Sequence, residues 1–491
     1  MESKGSRIWS ELLDSVQAGL MVRTNSRLVQ PGEVFVAIPG VKVDGAAFIP
    51  DALERGAGYV VCAQNPGLLP GLDPEGPARL VVHPDPRIAL GDLARAYFRT
   101  DEHSLKLVGV TGTNGKTSVA YMIEHLLSSA GLKVGVLGTV NYRWPGFALD
   151  AKLTTPDCWQ LHELLANMER SDVDVVIMEV SSHALDQRRP AGLHFNAAVL
   201  TNVTQDHLDY HADMDAYFNA KGRLFYEYPA QDKAWVVNMD DPWGRRLLAA
   251  NAQVLGFGLS EPSHSVYPCL TGTIETATGR GMALTMQHEK KSWTLHSPLI
   301  GTHNASNLLA AQALGLKLGM NCRDMRRLSD FTGAPGRLER VDNDKDLDIF
   351  VDYAHTPDAL SNVMRSLREL DFERLLVVFG CGGNRDVTKR PLMGRAVAEF
   401  ADTAIVTSDN PRFENPAAII DDILPGLKGC PEILVETNRR AAIRLAVQRM
   451  RPGDCLLVAG KGHEDYQEIE GVRRPFSDVE VVRDALQGEA A

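Results

Sequence analysis

The chain has 491 residues, 44% of them hydrophobic and 23% charged, which suggests about three domains and an ordinary globular composition. Lys and Arg total 51 against 63 Asp and Glu, a formal charge of −12, and no basic run exceeds pairs such as Arg188-Arg189 and Arg326-Arg327, which argues against a nucleic-acid binder. Seven singly placed cysteines without metal spacing, an opening MESKGSRIWSELLDS without a signal peptide's apolar run, and no apolar stretch of the roughly 18 residues a membrane span needs together predict a soluble cytoplasmic protein.

Short β-branched runs alternate with segments of helical period. Val34–Ile38, Tyr59–Cys62, Leu107–Thr111, Val173–Val180, Ala197–Val203, Leu375–Gly380, Ala404–Thr407 and Cys455–Ala459 read as strands, so the fold class is α/β on largely parallel sheets. Residues 63–87, rich in Pro and Gly, are expected to end a small first unit. Phe331–Arg337, FTGAPGR, reads as a second hinge. The expected domains are 1–87, 88–333 and 334–491.

The strand before residue 112 leads into Gly112-Thr113-Asn114-Gly115-Lys116-Thr117-Ser118. A helix leads out, with Val119, Met122, Ile123, Leu126 and Leu127 on one apolar face. Glycines let backbone N–H groups curl around phosphate oxygens, and the helix N-terminus adds its dipole. Lys116 is expected to reach the β- and γ-phosphates and the Thr117 hydroxyl to hold Mg²⁺. The general G-x-x-x-x-G-K-[ST] spacing is not met, because Val110 stands five places before Gly115.

Glu179 ends the strand Val173–Val180, and a carboxylate there is well placed to bind Mg²⁺ beside the phosphates. The bland alternative is a polar strand terminus. The strand Ala197–Val203, with Asn202 near its end, runs into Thr204-Gln205-Asp206-His207-Leu208-Asp209-Tyr210-His211. By residue type alone this cluster is as readily a capped helix start as a metal site. Lys221, farther on, reads by itself as a solvated helix lysine.

Taken in order, GTNGKTS (112–118), TTPD (154–157), EVSSHAL (179–185), NVTQDHLDYH (202–211), Ala220-Lys221, HNASN (303–307), GAPGRLERV (333–341) and VDYAHTPDAL (351–360) resemble the Mur ligase family over essentially the whole chain. GCGGNRD (380–386), TSDNPR (407–412) and AGKGHEDY (459–466) are similar to its tripeptide-synthetase branch. The resemblance implies three domains: an N-terminal one for a UDP moiety, a central P-loop ATPase and a C-terminal Rossmann-like domain. It implies that the D-Glu carboxylate of UDP-MurNAc-L-Ala-D-Glu attacks the ATP γ-phosphate. An amine then displaces phosphate from the acyl phosphate, leaving ADP.

Roles follow by the same resemblance. Lys116, Glu179, His207 and Lys221 are expected to be catalytic, with Thr117, Glu179, His207 and Lys221 serving two Mg²⁺ ions. Lys221 is expected to be carbamylated by CO₂, which turns a cation into an oxygen ligand of the type Mg²⁺ prefers. Besides the glycine loop, Asn304, Arg337 and Asp352 are expected at ATP. Thr154, Thr155, Ser181, Gln187 and Arg189 match contacts to the muramyl dipeptide, and Thr24, Ser26, Val41, Lys42 and Val43 match the uridine-diphosphate pocket. Arg385, Asp409, Asn410, Pro411, Arg412, Gly460 and Glu464 match the amino-acid end. There a guanidinium at Arg412 favours meso-diaminopimelate, with its extra carboxylate, over L-lysine. A folylpolyglutamate synthase-like ligase and an L-lysine-adding synthetase are the alternatives. A monomer acting on small molecules is expected.

Overall fold

In the computed structural model, which describes residues 4–40, 43–64, 78–249, 254–259 and 268–488, the β-branched runs become strands close to the expected places. The chain divides into two units, 1–113 with 130–236 and 114–129 with 237–491. In the first unit, β1 (Val22–Arg23), β2 (Val34–Val36), β3 (Tyr59–Cys62) and β4 (Arg79–Val82) form a parallel sheet in chain order. Successive side chains of a strand point to opposite faces. Val34, Val36, Val61 and Val81 therefore pack with Leu12, Val16, Leu90 and Leu93 of the helices Lys4–Gln17 and Pro86–Phe98. Phe35, Val60 and Cys62 pack on the other side with Ile49 and Ala52.

β4 lies inside 63–87, which reads in the sequence as a boundary region. Its four residues, Arg-Leu-Val-Val, gain strand character from pairing with β3 rather than from their own pattern. Residue 87 falls in the first turn of the helix Pro86–Phe98, where Asp85 caps the Arg87 N–H at 2.9 Å and Pro86 occupies a position that needs no N–H.

The larger sheet of this unit contains β5 (Lys106–Thr111), β6 (Val134–Leu137), β7 (Asn141–Trp144), β8 (Phe147–Asp150), β9 (Val175–Glu179), β10 (Phe195–Leu200) and β11 (Pro229–Asn238), in the order β11-β10-β5-β9-β6-β7-β8. β10, β5, β9 and β6 are parallel, while β7 and β8 fold back antiparallel. The register sets Glu179 beside Val110 and Leu200 beside Thr111, so three strands end level and release their loops at one edge. Open α/β sheets bind ligands at such a carboxyl edge. β10 stops at Leu200, short of Asn202, whose carbonyl turns to accept the Thr113 N–H at 2.8 Å.

In the second unit the helix Lys116–Ser129 buries Val119, Met122, Ile123, Leu126 and Leu127, and it packs on the helix Thr302–Lys317. β12 (Leu255–Gly258) runs parallel to β13 (Cys269–Thr278), which continues antiparallel through β14 (Gly281–His288) and β15 (Lys291–Ser297). A further sheet contains β16 (Glu339–Arg340), β17 (Asp348–Asp352), β18 (Leu375–Phe379), β19 (Thr403–Val406), β20 (Glu432–Val435) and β21 (Cys455–Ala459), in the order β16-β17-β21-β18-β19-β20 and parallel except for β16. Phe350, Val377, Phe379 and Leu457 face Leu360, Met364 and Val397. Ile349, Val351, Leu376 and Val378 face Ile443 and Val482 on the other side. Covered on both faces, this is a doubly wound, Rossmann-like sheet. A hairpin of β22 (Tyr466–Ile469) and β23 (Val472–Pro475) follows. Among the described residues no helix is long and apolar enough to cross a membrane.

Candidate active site

The glycine loop is fixed by close packing. Gly112 and Gly115 have φ of +147° and +86°, conformations open to glycine. A Cβ on Gly112 would collide with Thr201 Oγ1, and one on Gly115 would stand 2.5 Å from Asn307 Oδ1. The Thr113 hydroxyl donates to Thr204 O (3.1 Å), accepts the Thr204 N–H (3.0 Å) and meets Tyr217 OH at 3.1 Å. Asn304 is buried on the helix Thr302–Lys317, donates to Ile300 O at 2.9 Å and lies 3.4 Å from Asn307 Nδ2. Gly115 and Asn304 thus share Asn307 as a neighbour. Lys116 opens its helix, followed by the buried Thr117 and Ser118.

Glu179 is buried at the end of β9, with Oε1 accepting the Thr139 N–H and Oε2 the Thr139 hydroxyl, both at 3.0 Å. The Thr139 hydroxyl also meets Thr154 Oγ1 at 3.2 Å. Thr155 donates to Glu179 O (2.9 Å), accepts the Ser181 N–H (3.1 Å), and gives its own carbonyl to Arg189 Nη1 (2.7 Å). Arg189 grips Gln187 Oε1 through Nε and Nη2 at 3.2 and 2.9 Å. The five residues matched to the dipeptide are therefore gathered around Glu179. Arg87 adds a tie to this group by donating to Gln187 O at 3.2 Å and to Pro39 O.

Lys221 is not the solvated lysine that its position on a helix suggests. It is 2% exposed on the helix Met214–Tyr226, one turn after Tyr217. Its Nζ donates to Gly112 O at 2.7 Å and sits 4.3 Å from the Tyr217 ring centroid. His207, with φ +54°, lies 3.5 Å from Asp206 Oδ2 and edge-on to His183, with ring centroids 4.7 Å apart. Burial, then the Arg189 charge, holds His183 below its ordinary pKa. Ser26 is buried in a short turn capped by Asn25, whereas Thr24 and Val43 are exposed. Val41 and Lys42 lie outside the described residues.

The carboxyl edge of the Rossmann-like sheet collects the remaining residues. Asp352, at the end of β17, accepts the Leu338 and Ala354 N–H groups at 2.7 Å each. Burial raises its pKa against the opposing pull of Arg337, whose guanidinium lies 4.8 Å from the Tyr353 ring. Register sets Asp352 beside Ala459 and Phe379 beside Val406, so the loops 380–386, 407–412 and 459–466 leave one edge together. Arg412 donates Nη1 to Gly383 O at 2.8 Å, and its Nε lies 3.7 Å from Glu468 Oε2. Gly383 N donates to Asn410 O at 2.8 Å. Gly460, at φ +115°, leaves room for Asp409, whose Oδ2 would stand 3.1 Å from a Cβ there. Arg385 is exposed on its loop. Glu464 accepts at Oε2 from Asn410 Nδ2 (2.8 Å) and from Lys461 Nζ (2.9 Å). Lys461 and Thr139 escaped the sequence reading. Lys461 lies within the 459–466 motif and Thr139 outside every motif, and the role of each depends on a partner distant in the chain.

Backbone amides at a glycine loop between a central parallel strand and a helix N-terminus are a phosphate cradle, so the chain is a P-loop nucleotide-binding protein. It belongs to the Mur ligase family: models of the Mur ligase family catalytic domain, the Mur ligase middle domain and the Mur ligase glutamate ligase domain match residues 20–98, 110–315 and 336–462. A protein of Lawsonia intracellularis named UDP-N-acetylmuramoyl-L-alanyl-D-glutamate--2,6-diaminopimelate ligase is 52% identical over 95% of this chain and 96% of its own. One of the same name from Gloeobacter violaceus is 45% identical over 94% and 93%. A solved structure of an enzyme with that name superposes with TM-score 0.67 at 33% identity, covering 95% of this chain and 94% of its own. Mycobacterium tuberculosis folylpolyglutamate synthase complexed with ADP shares the fold, with TM-score 0.62 at 22% identity over 77% of this chain and 92% of its own.

Proposed function

We propose that this chain is an ATP-dependent ligase that joins meso-2,6-diaminopimelate to the D-Glu carboxylate of UDP-MurNAc-L-Ala-D-Glu, releasing ADP and phosphate, in the synthesis of peptidoglycan precursor. The observation that carries the reading is the identity to ligases of that name along 95% of the chain. The convergence of the loops bearing Arg385, Arg412 and Glu464 on one sheet edge supports it. A carboxylate is a poor electrophile, and phosphorylation gives it a leaving group. Phosphoryl transfer between anions needs charge neutralisation and in-line placement more than acid–base chemistry.

Lys116 and the backbone of Gly112–Ser118 hold the phosphates, while Asn304, Arg337 and Asp352 hold the nucleoside end. Thr154, Thr155, Ser181, Gln187 and Arg189 orient the dipeptide, and Thr24, Ser26 and Val41–Val43 take the uridine diphosphate. Asp409–Arg412, Arg385, Gly460 and Glu464 bind the diamino acid. The buried carboxylate of Glu179, the hydroxyl of Thr117 and the imidazole of His207 are donors of the kind Mg²⁺ accepts. Among the described residues no group of three His, Cys, Asp or Glu is arranged to hold a metal ion by itself, so hydroxyl, phosphate and carbamate oxygens would complete the set. Bound there, Mg²⁺ supplies positive charge to the transferring phosphoryl group. Lys221 fits a carbamate because burial favours the neutral amine, the form that attacks CO₂ and loses a proton to give the carbamate. We assign the three parts to 1–87, 88–333 and 334–491, and the working form to a cytoplasmic monomer; seven unpaired thiols fit a reducing compartment.

The test is product analysis with ATP, Mg²⁺, the UDP-linked dipeptide and diaminopimelate. ADP and phosphate should form when all are present, and Lys116→Ala should abolish turnover. AMP and pyrophosphate as products would sink the mechanism.

A further inference from the structure

Beneath the loops at the carboxyl edge of the Rossmann-like sheet runs a line of alternating charges, of which Asp478, Arg439 and Lys461 have no role above. Asp478 and Arg439, both fully buried, form a two-point ion pair at 2.8 and 2.7 Å. Arg439 Nη2 would lie 4.0 Å from a Cβ on Gly460, whose nearest neighbour in that direction is Asp409. Asp409 Oδ1 is 3.5 Å from Lys461 Nζ, and Lys461 reaches Glu464 Oε2 at 2.9 Å. The signs therefore run minus, plus, minus, plus, minus.

Lys461 is the hinge of this line, and its side chain is fully buried. An ammonium is costly to bury unless it is paired and hydrogen-bonded, and this one has a partner on each side. Its third contact, with Asn410 Oδ1 at 3.0 Å, does more than stabilise the charge. The same oxygen accepts the Glu468 N–H at 2.9 Å, so two donors fix which end of the Asn410 amide is the carbonyl. The amide nitrogen is thereby aimed at Glu464 Oε2 at 2.8 Å. Both donors converge on Oε2, and Oε1 is the oxygen that remains for a ligand's ammonium.

We propose that Lys461 is a positioning and specificity-determining residue for the amino-acid substrate: it orients Asn410 and Glu464, and its charge tunes the site for a side-chain end carrying both an ammonium and a carboxylate rather than a lone ammonium. The inference rests on the proposed ligase function. Asp409, Glu464 and Lys461 together carry one net negative charge. Without Lys461 they carry two, which disfavours the substrate's distal carboxylate and favours a bare cation.

The experiment compares kcat/KM for meso-diaminopimelate and L-lysine in wild type, Lys461→Met and the Lys461→Met/Glu464→Gln double variant, with ATP and the UDP-linked dipeptide saturating. Lys461→Met should raise the KM for diaminopimelate and move the selectivity ratio toward lysine by roughly tenfold or more, with the KM for ATP unchanged. The double variant, which returns the net charge to its original value, should move the ratio back. If Lys461→Met does not fold, Glu464→Gln alone is read, and its neutral site should move the ratio away from lysine. A proportional loss on both amino acids, or a ratio moving against these directions, overturns the proposal. A wild-type enzyme that fails to ligate diaminopimelate at all overturns the function on which it rests instead.

Discussion

Arg412 offers the sharpest single perturbation. Its backbone is pinned from both sides, its N–H donating to Glu468 O at 3.1 Å and its carbonyl accepting the Glu470 N–H at 2.6 Å. Replacing the side chain should therefore leave the loop in place. Its φ of +52° makes glycine a poor choice, because glycine would relax the backbone as well as delete the guanidinium. Arg412→Ala keeps the strain nearly constant and removes the cation. One edge of the guanidinium serves Gly383 O through Nη1, and the proposed function gives the rest of the fork to the substrate's carboxylate. Loss of a hydrogen bond to a charged partner costs roughly 1.5–3 kcal/mol, which corresponds to about ten- to 150-fold in kcat/KM. Glu468, 3.7 Å from Nε, would also lose its partner and repel the substrate's carboxylate, which places the effect toward the upper end. The assay is steady-state kinetics with varied diaminopimelate and the other substrates saturating. Arg412→Lys should restore the charge but not the fork, and so recover part of the lost kcat/KM. A change below about threefold in Arg412→Ala would mean that the guanidinium does not hold this substrate.

Three further outcomes are expected. Lys221→Ala should be nearly inactive, with partial recovery in added formate or acetate, and the wild type should lose activity in CO₂-depleted buffer; full activity of the alanine variant would exclude the carbamate. Arg439→Met strands the Asp478 carboxylate in a fully buried position and should lower stability in urea by about 3–5 kcal/mol, against a small loss if that carboxylate finds another partner. Burial lowers His162 and His303 from 6.5 to about 4, so both are neutral in the fold, while the unfolded chain takes up protons near 6.5. Their contribution to stability is full above that value and is lost as pH falls toward 4. His162→Gln should flatten this part of the unfolding profile, and an unchanged profile would contradict the assignment.

The strands around the sites were legible because a β-branched run buried on both faces carries its own signature. Val34–Val36, Tyr59–Cys62, Leu107–Thr111 and Cys455–Ala459 show this. Glu179 was legible as a strand-ending carboxylate, and the glycine loop by its context despite Val110. β4 was hidden because four residues flanked by proline acquire a register only from β3. Asn202, expected at the end of the strand Ala197–Val203, lies beyond β10, since its carbonyl pairs with the Thr113 N–H rather than with a strand. Lys221 entered through family resemblance alone: helical spacing puts it on the buried face with Tyr217 and Phe225, but nothing local reveals that Gly112 O waits there. Lys461 is the counterpart at the other sheet. The motif that contains it gave it no role, because its burial depends on Asp409 and Asn410, some 50 residues earlier.

The central claim, ligation selective for diaminopimelate, is tested most directly by mass spectrometry of the product formed from an equimolar mixture of meso-diaminopimelate and L-lysine with ATP, Mg²⁺ and UDP-MurNAc-L-Ala-D-Glu. The expected product is a single nucleotide-linked tripeptide bearing diaminopimelate, formed one-for-one with ADP. A product bearing lysine in equal or greater amount would contradict the specificity assigned to Arg412 and Lys461, and no tripeptide with either amino acid would contradict the ligase itself.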